Sequence, residues 1–559
     1  MKIKQIIFFA LAILLLGSCK KFNDSYDALL NDPNATVPSS ADADLFLNAV
    51  QLNFKSFYGE ASNFGAEVTR MQHMYGPNYQ NAYSAESFDG LWTTAYTGIF
   101  KNANAMIPIA LAQKKYTHVG MAQIMKAYTM FTLVDYFGNV PYSEANQGIN
   151  ITNPKADSGR NVYNAALVLL DSAIANLKKP ADKYPTNDLF YTGSNNSTKW
   201  ITVAKTLKLK AFFQMIATSP TPSPLADKDA IKTKINALIA ENDLINNESQ
   251  NFVFKFSTKD NSPDSRHPKF VNNYAGSSGV SDYLANYFMS LMNDELNGDP
   301  RMRYYFYRQT EDIFAAIPDE TTLAFTIPCV YRDAPPGYNP YCIVGTGYLG
   351  RDHGNAEGIP PDGKYRATFG IYPAGGEFDA DQFSPTNASM GAKGAGIYPI
   401  WMSSYTDLLQ AQAAFILGTT GDVRSLLLSG VNKSITTVMN YPATVGYVPD
   451  PAAVPRATQI TNYNTLIGRL YDRVVNERLD LLSKEYMIAL WGNGIESYNQ
   501  YRRLALPGNL QPLLLPSTTN FIRSFKYPAV CVNLNQNIKQ KTETTVKVFW
   551  DVNPDNLYK

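Results

Sequence analysis

The chain has 559 residues, of which 49 are basic and 48 are acidic, so its formal net charge is +1. Because the basic and acidic residues are nearly equal in number, the net charge gives no reason to expect a nucleic acid or an anionic membrane face as the partner. The length is sufficient for several domains or for one large solenoid-like domain.

The first residues have the pattern of an export signal. Two lysines, Lys2 and Lys4, precede an unbroken apolar run over 6–16. This run is well short of the roughly 20 residues that a helix needs to span a bilayer. It therefore fits the core of a signal peptide better than a permanent membrane helix.

The sequence Leu-Gly-Ser-Cys at 16–19 resembles the bacterial lipoprotein signal, in which small residues precede a lipid-bearing cysteine. We expect residues 1–18 to be removed and the thiol of Cys19 to carry lipid, such as palmitate, that anchors the protein without a spanning helix. An ordinary secretory signal with an incidental cysteine is the alternative. The polar, turn-forming residues 19–39 are expected to be a tether.

Helical periodicity dominates the N-terminal half and returns near the C-terminus. Ser39 and Asp42 are suited to begin a helix, and a helix over 121–137 is expected to end at Gly138. Apolar residues at three- and four-residue spacing predict another helix over 162–177. Further helices are predicted over 87–111, 199–217, 227–241, 403–417 and 464–491.

Helices of this length, joined by short polar turns, predict a mainly α fold. Its scaffold is expected to be tetratricopeptide-like helical hairpins, with inserted irregular loops and little β structure, in a single domain over 40–559. A stretch rich in Gly, Pro and Tyr at about 328–399 lacks helical periodicity and is predicted to be an insert. Three tryptophans in helical pattern are assigned to the core: Trp92, Trp200 and Trp491.

The positions of the cysteine, histidine and acidic residues give little indication of a metal site or of redox chemistry. In an exported chain, Cys329 and Cys342 could form a disulfide across a Pro/Gly-rich loop and leave Cys531 free. The four histidines are never spaced as ligand pairs. The sequence NDELNGDPR at 293–301 could hold Ca²⁺, but it lacks EF-hand spacing and a solvated helix end is favoured. No cofactor is therefore expected.

Enzyme motifs are few. The sequence GTGYLG at 345–350 matches GxGxxG, but no strand is predicted before it and no helix after it, so a dinucleotide site is not expected. The chain has no GxSxG elbow, no P-loop and no HExxH. A carboxylate pair for glycoside hydrolysis stays open, because the separation of such a pair is a spatial property.

Segments along nearly the whole chain resemble the SusD/RagB family of Bacteroidetes outer-membrane lipoproteins, and more closely its second branch of nutrient-binding members. They are NDPNATVP (31–38), IMKAYTMFTLVDYFGNVPYSEA (124–145), DLFYTGSNNSTKWITVAKTLKLKAF (188–212), NDELNGDPRMRYYF (293–306), GIYPAGGEFD (370–379), LSKEYMIALWGNGIESYNQYRRLALP (482–507) and VFWDVNP (548–554). The resemblance implies a SusD-like helical fold, and a protein that binds nutrients without cleaving them. It also implies a partner, a SusC-like TonB-dependent transporter that receives an oligosaccharide or a peptide.

Candidate ligand residues come from the chemistry of sugar recognition, which uses flat aromatic rings with amides, carboxylates or arginine nearby. Two stretches offer this mixture: Gln72, Tyr75, Asn78, Tyr79 and Tyr83, and then Tyr338, Tyr341, Tyr348, Arg351 and Asp352. Loop-anchoring packing is the alternative for each of them. For the whole protein, a membrane-anchored glycoside hydrolase and a structural surface protein remain alternatives.

Overall fold

The computed structural model describes residues 42–193, 195–216, 228–327, 340–342, 344–356, 361–514 and 520–557. Its helices are α1 (Ala43–Val68), α2 (Tyr79–Ala82), α3 (Asp89–Thr93), α4 (Lys101–Ala112), α5 (Tyr116–Phe137), α6 (Gly159–Leu177), α7 (Ser197–Gln214), α8 (Lys228–Ala240), α9 (Pro268–Tyr274), α10 (Asn286–Ser290), α11 (Met302–Tyr305), α12 (Ile313–Ala316), α13 (Glu320–Thr326), α14 (Ser403–Leu417), α15 (Val423–Thr444), α16 (Ala457–Arg473), α17 (Arg478–Ala489), α18 (Gly494–Leu504) and α19 (Ala529–Leu534). Its strands are β1 (Phe252–Lys255), β2 (Phe306–Tyr307), β3 (Thr368–Phe369) and β4 (Ile397–Trp401). The predicted mainly α fold is confirmed.

In the helix α1, the local sequence determines where the helix begins and which of its faces is buried. Asp42 caps the helix by accepting a hydrogen bond at 2.9 Å from the backbone N–H two residues later. Leu47, Phe54 and Ala61 recur every seven residues and are buried against the core. The helix therefore begins just after Asp42, whereas Ser39 lies outside the described residues.

Helical hairpins make up the scaffold. The helices α5 and α6 pack together, as do α6 with α7 and α14 with α15. The end of α5 is as predicted, because Gly138 follows it with a φ of 81°, a conformation that glycine adopts without a steric penalty. The predicted helix over 403–417 coincides with α14.

The helical region near the C-terminus differs from the single helix predicted over 464–491. The helix predicted over 464–491 is two helices, because Val474 leaves the helical backbone conformation and a 3-10 turn, Val475–Glu477, separates α16 from α17. The helix α18 is mostly polar, and yet all of its residues are buried. Its polar groups bind distant partners; for example, the Asn499 amide donates to Asp135 at 2.7 Å.

The strands attach the described part of the predicted insert to the body. The strand β4 pairs antiparallel with β1, with Trp401 opposite Phe252, and β3 pairs antiparallel with β2. From β3, Phe369 stacks on Trp491 with ring centroids 5.4 Å apart. This region thus contributes to the aromatic core, and Trp92, Trp200 and Trp491 are buried as predicted.

The acidic residues of NDELNGDPR bind protein groups. Asp299 pairs with Arg301 at 2.6 Å, and Glu295 pairs with Lys484 at 3.0 Å. Within the described part of the chain, no group of three or more His, Cys, Asp or Glu side chains is arranged to hold a metal ion. Among the described helices, none combines the length and hydrophobicity that crossing a membrane requires.

Candidate ligand-binding site

A cavity of about 420 Å³ lies between α1 and the amino end of α9. Residues 59–67 of α1 form one wall, and residues 267–272 with Asp282 form the opposite wall. Trp491 lies at its floor, and Tyr75 lies where the cavity meets solvent. The volume is within the range of roughly 300–1,000 Å³ that is usual for small-molecule sites.

The wall from α1 is acidic. Glu60, Asn63 and Glu67 are spaced by three and four residues, so they share one face of the helix. The Glu67 carboxylate accepts hydrogen bonds from the Asn63 amide at 2.7 Å and from the Tyr83 hydroxyl at 2.9 Å. Burial raises the pKa of Glu67 to about 7, which the nearby Lys269 only partly opposes, and burial also raises the pKa of Glu60.

The opposite wall carries an ion pair. The Lys269 ammonium lies 3.0 Å from the Asp282 carboxylate and 5.2 Å from the centre of the Phe369 ring. The Asn273 amide also donates to Asp282 at 3.0 Å. Burial alone would raise the pKa of Asp282, but Lys269 and Asn273 outweigh it and the pKa is lowered. The cavity therefore offers both acceptors and a cationic donor.

The two histidines of the cavity are neutral at physiological pH. Burial lowers the pKa of His73 to about 3, and the pKa of His267 also to about 3. His267 caps α9, because its Nδ1 accepts the backbone N–H of Lys269 at 3.1 Å. Neither ring adds a positive charge to the site.

Tyr75 presents an aromatic ring at the mouth of the cavity. Its side chain is 48% exposed, although its hydroxyl donates to the carbonyl of Ser281 at 2.9 Å. The ring also packs edge to face with His73, with centroids 5.1 Å apart. An exposed ring that is held at its edge and at its tip is suited to stack against a ligand.

Only some residues of the first predicted stretch lie at the cavity. Gln72 and Tyr75 line the cavity. Asn78 caps α2 instead, by accepting the N–H of Asn81, while Tyr79 and Tyr83 are 0% and 2% exposed. Burial at this level leaves neither tyrosine ring free to contact a ligand directly.

None of the described residues of the second predicted stretch lines the cavity. Tyr348, Arg351 and Asp352 are buried, and Tyr341 is partly buried. The Asp352 carboxylate accepts from the Gln511 amide at 2.9 Å, which is a packing role. Tyr338 is outside the described residues. Ligand binding by this stretch therefore stays a prediction, and the burial of its members disfavours it.

Two cysteine predictions fall on residues that are not described. Cys19, the predicted lipid site, and Cys329, one half of the predicted disulfide, lie outside the described residues. Cys342 is disulfide-bonded, and Cys531 is a buried free thiol. The pairing of Cys342 with Cys329 stays a prediction.

Several cavity residues were absent from the predicted set. Glu60, Asn63, Lys269 and Asp282 all line the cavity. The first two had a detectable signal, since a spacing of three and four residues places them with Glu67 on one face of a helix. Lys269 and Asp282 had none, because only the packing of α9 against α1 brings them to the site.

Residues 33–316 match the profile of SusD-like_2, a family described as starch-binding and associating with the outer membrane. The chain belongs to this SusD-like family. It is thus an outer-membrane-associated protein of a family of binding proteins. A search of curated protein sequences found no match.

Solved structures have the same fold at low sequence identity. A chitin-binding protein is 18% identical, with a TM-score of 0.64 over 92% of this chain and 100% of its own. A SusD/RagB family protein from Bacteroides thetaiotaomicron is 17% identical, with a TM-score of 0.63 over 92% and 100% of the two chains. A chitin-binding SusD homologue from Flavobacterium johnsoniae is 17% identical, with a TM-score of 0.59 over 92% of this chain and 100% of its own. These similarities establish the SusD-like fold.

Proposed function

We propose that this SusD-like protein is a cell-surface lipoprotein, anchored through Cys19, that binds a nutrient oligosaccharide and delivers it to a SusC-like TonB-dependent transporter. The cavity beside α1 is the observation that carries the proposal. It combines an aromatic floor, polar walls and an exposed ring at the mouth. Membership of a family described as starch-binding supports a glycan as the ligand. A peptide is the second ligand class.

The chemistry of the cavity fits a sugar. The CH faces of a pyranose ring can pack against the exposed aromatic ring of Tyr75 at the mouth of the cavity. Sugar hydroxyls can donate to Glu60 and Asp282, and they can accept from Lys269. Binding and release need no bond cleavage, so the protein is proposed to bind its ligand without hydrolysing it.

Replacing Tyr75 with alanine should weaken glycan binding about tenfold, which corresponds to roughly 1.4 kcal/mol, because the stacking ring at the mouth is lost. Isothermal titration calorimetry against chitin- and starch-derived oligosaccharides, other plant and host glycans, and peptide mixtures measures this effect. The melting temperature should change little, since about half of this residue is exposed.

Phe314 supplies the matched control. Its side chain is similarly exposed, at 46%, and it does not line the cavity. Phe314→Ala should therefore bind like the unsubstituted protein. If the Tyr75→Ala variant and the unsubstituted protein bind a glycan with equal affinity, the ligand does not contact Tyr75 and the proposed site is wrong. Release of shorter products from any polysaccharide would instead support the hydrolase alternative.

The transporter half of the proposal has a separate test. A tagged protein purified from detergent-solubilised outer membranes should bring with it a barrel protein much larger than itself. The family resemblance motivates this expectation, since a binding protein without a pore cannot move its ligand across the membrane. Repeated recovery of the tagged protein alone would contradict the partnership.

A further inference from the structure

The floor of the cavity is closed. Trp491 is 1% exposed, so almost none of its ring is open on any side. The ring packs against Phe288, Tyr305 and Phe306, with centroids 5.0, 5.6 and 5.2 Å away. This continuous aromatic packing leaves no path for a sugar chain beneath the cavity.

Tyr398 closes one end of the cavity. Its ring centroid lies 5.1 Å from that of His267 and 5.4 Å from that of Tyr58. A Cβ atom added to Gly59 would lie 2.3 Å from the Tyr398 hydroxyl, so this tyrosine packs directly on the backbone of α1. This contact forms the wall at that end of the cavity.

Tyr283 closes the other end. Its ring has the guanidinium of Arg366 at 3.7 Å and the guanidinium of Arg351 at 4.2 Å from its centroid. Its hydroxyl donates to the Asp362 carboxylate at 2.8 Å. A ring held by two cations and a buried carboxylate is fixed in place, so this end is a wall and not a gate.

The mouth is therefore the open side. The exposed residues that line the cavity are Tyr75, Pro268 and Asn272, which belong to the 71–75 loop and to α9. The volume of about 420 Å³ lies in the lower half of the usual range of roughly 300–1,000 Å³. This volume has room for one or two sugar rings.

We propose that the cavity takes the end of a sugar chain, one or two residues long, and does not bind the interior of a polymer. The inference rests on the proposed function, because it requires a glycan ligand. An interior residue needs an exit on both sides, whereas a terminal residue enters by the mouth and its neighbour leaves past Tyr75. The terminal residue also carries a free hydroxyl that an interior residue lacks, for acceptors such as Glu60 and Asp282.

The test is the dependence of affinity on chain length in whichever glycan series binds. Calorimetric titrations with maltose through maltohexaose, and with the corresponding N-acetylchitooligosaccharides, give the dissociation constant of each oligomer. If a maltooligosaccharide binds, α-cyclodextrin is the decisive probe, because it has six glucose units and no chain end.

Chain-end binding predicts dissociation constants within about threefold of one another from the two-residue to the six-residue oligomer, and no binding of α-cyclodextrin. An affinity that rises by more than about tenfold over the same lengths, or cyclodextrin binding like maltohexaose, would overturn the inference and leave the proposed function intact. Failure of every glycan in the panel to bind would overturn both.

Tyr398→Ala gives a second measurement of the same inference. Removing this ring opens one closed end of the cavity while Glu60, Asp282 and Tyr75 stay in place. The variant should bind longer oligomers better than short ones, which the unsubstituted protein should not do. An unchanged length dependence in a folded Tyr398→Ala protein would contradict the role of this end wall.

Discussion

Tyr79→Ala should lower the free energy of unfolding by about 3–5 kcal/mol, as is typical when a large buried aromatic side chain is truncated. The Tyr79 side chain is 0% exposed, and its ring packs against Phe521 with centroids 6.0 Å apart. Its hydroxyl lies 3.3 Å from Nε2 of His353. Urea unfolding measures the loss, and the fraction that remains folded should bind glycan with unchanged affinity.

Tyr79→Phe separates the ring from the hydroxyl. It keeps the packing against Phe521 and removes the hydroxyl with its hydrogen bond to His353, so the expected cost is about 1 kcal/mol. A Tyr79→Ala protein of normal stability and weakened glycan binding would contradict this assignment. That result would restore Tyr79 to the ligand site where its sequence context places it.

Arg301→Met should cost about 3–5 kcal/mol, because it leaves two buried carboxylates without their cation. The Arg301 guanidinium is fully buried and lies 2.6 Å from Asp299 and 2.9 Å from Glu485. It also donates to the Ser434 hydroxyl at 3.0 Å. These contacts join the segment before α11 to α15 and α17, so their loss should appear as a lower midpoint of urea unfolding.

The loss caused by Arg301→Met should be larger at pH 8 than at pH 5. Burial raises the pKa of Glu485 even with Arg301 beside it, and the pKa should rise further once Arg301 is removed. The unfolded value stays near about 4.3. A carboxyl group with a higher pKa in the folded state costs stability as the pH rises above its unfolded value, so protonation at pH 5 relieves part of the loss.

An exposed ion pair provides the control for Arg301. The Arg424 guanidinium lies 2.9 Å from Asp472, but the two side chains are 42% and 55% exposed. Arg424→Met should therefore lower the midpoint of urea unfolding much less than Arg301→Met does. A loss for Arg301→Met no larger than that for Arg424→Met, or one that is equal at pH 5 and pH 8, would show that the buried cluster does not need its cation.

Helices that carry their own signals were predictable. The helix α14 has the predicted bounds, and α5 ends at Gly138 as its sequence indicates. A capping residue, an apolar stripe and a terminal glycine act over a few residues, so the sequence reveals them directly. The resemblance of ordered segments to the SusD/RagB family adds the fold, which the family match and the solved relatives confirm.

Elements that depend on distant partners were not predictable. The helix α18 is polar along most of its length, which is typical of a solvated helix, yet all of its residues are buried. The Arg502 guanidinium, for example, donates to the carbonyls of Asp135 at 2.6 Å and of Arg523 at 2.8 Å. Such partners lie on other elements, so no local pattern reveals that the helix is at the centre of the fold.

The same limit applies to the tyrosines of the candidate site. A tyrosine has an apolar face and a polar tip, so a core position and a binding surface both suit it. The sequence places Tyr75, Tyr79 and Tyr83 within nine residues of one another, and in the structure only Tyr75 among these three is exposed. The spacing of Glu60, Asn63 and Glu67 is visible in the sequence, but the helix α9 that faces them across the cavity is not.

The sequence alone determines the mainly helical class, several helix ends and the resemblance that leads to the SusD-like family, because these follow from local patterns and from their order along the chain. Only the tertiary structure decides where a ligand could bind. The cavity joins α1 to residues more than four hundred positions away, including Trp491. Whether a ring becomes floor, end wall or exposed mouth depends on what packs behind it, and that packing is set by the whole fold.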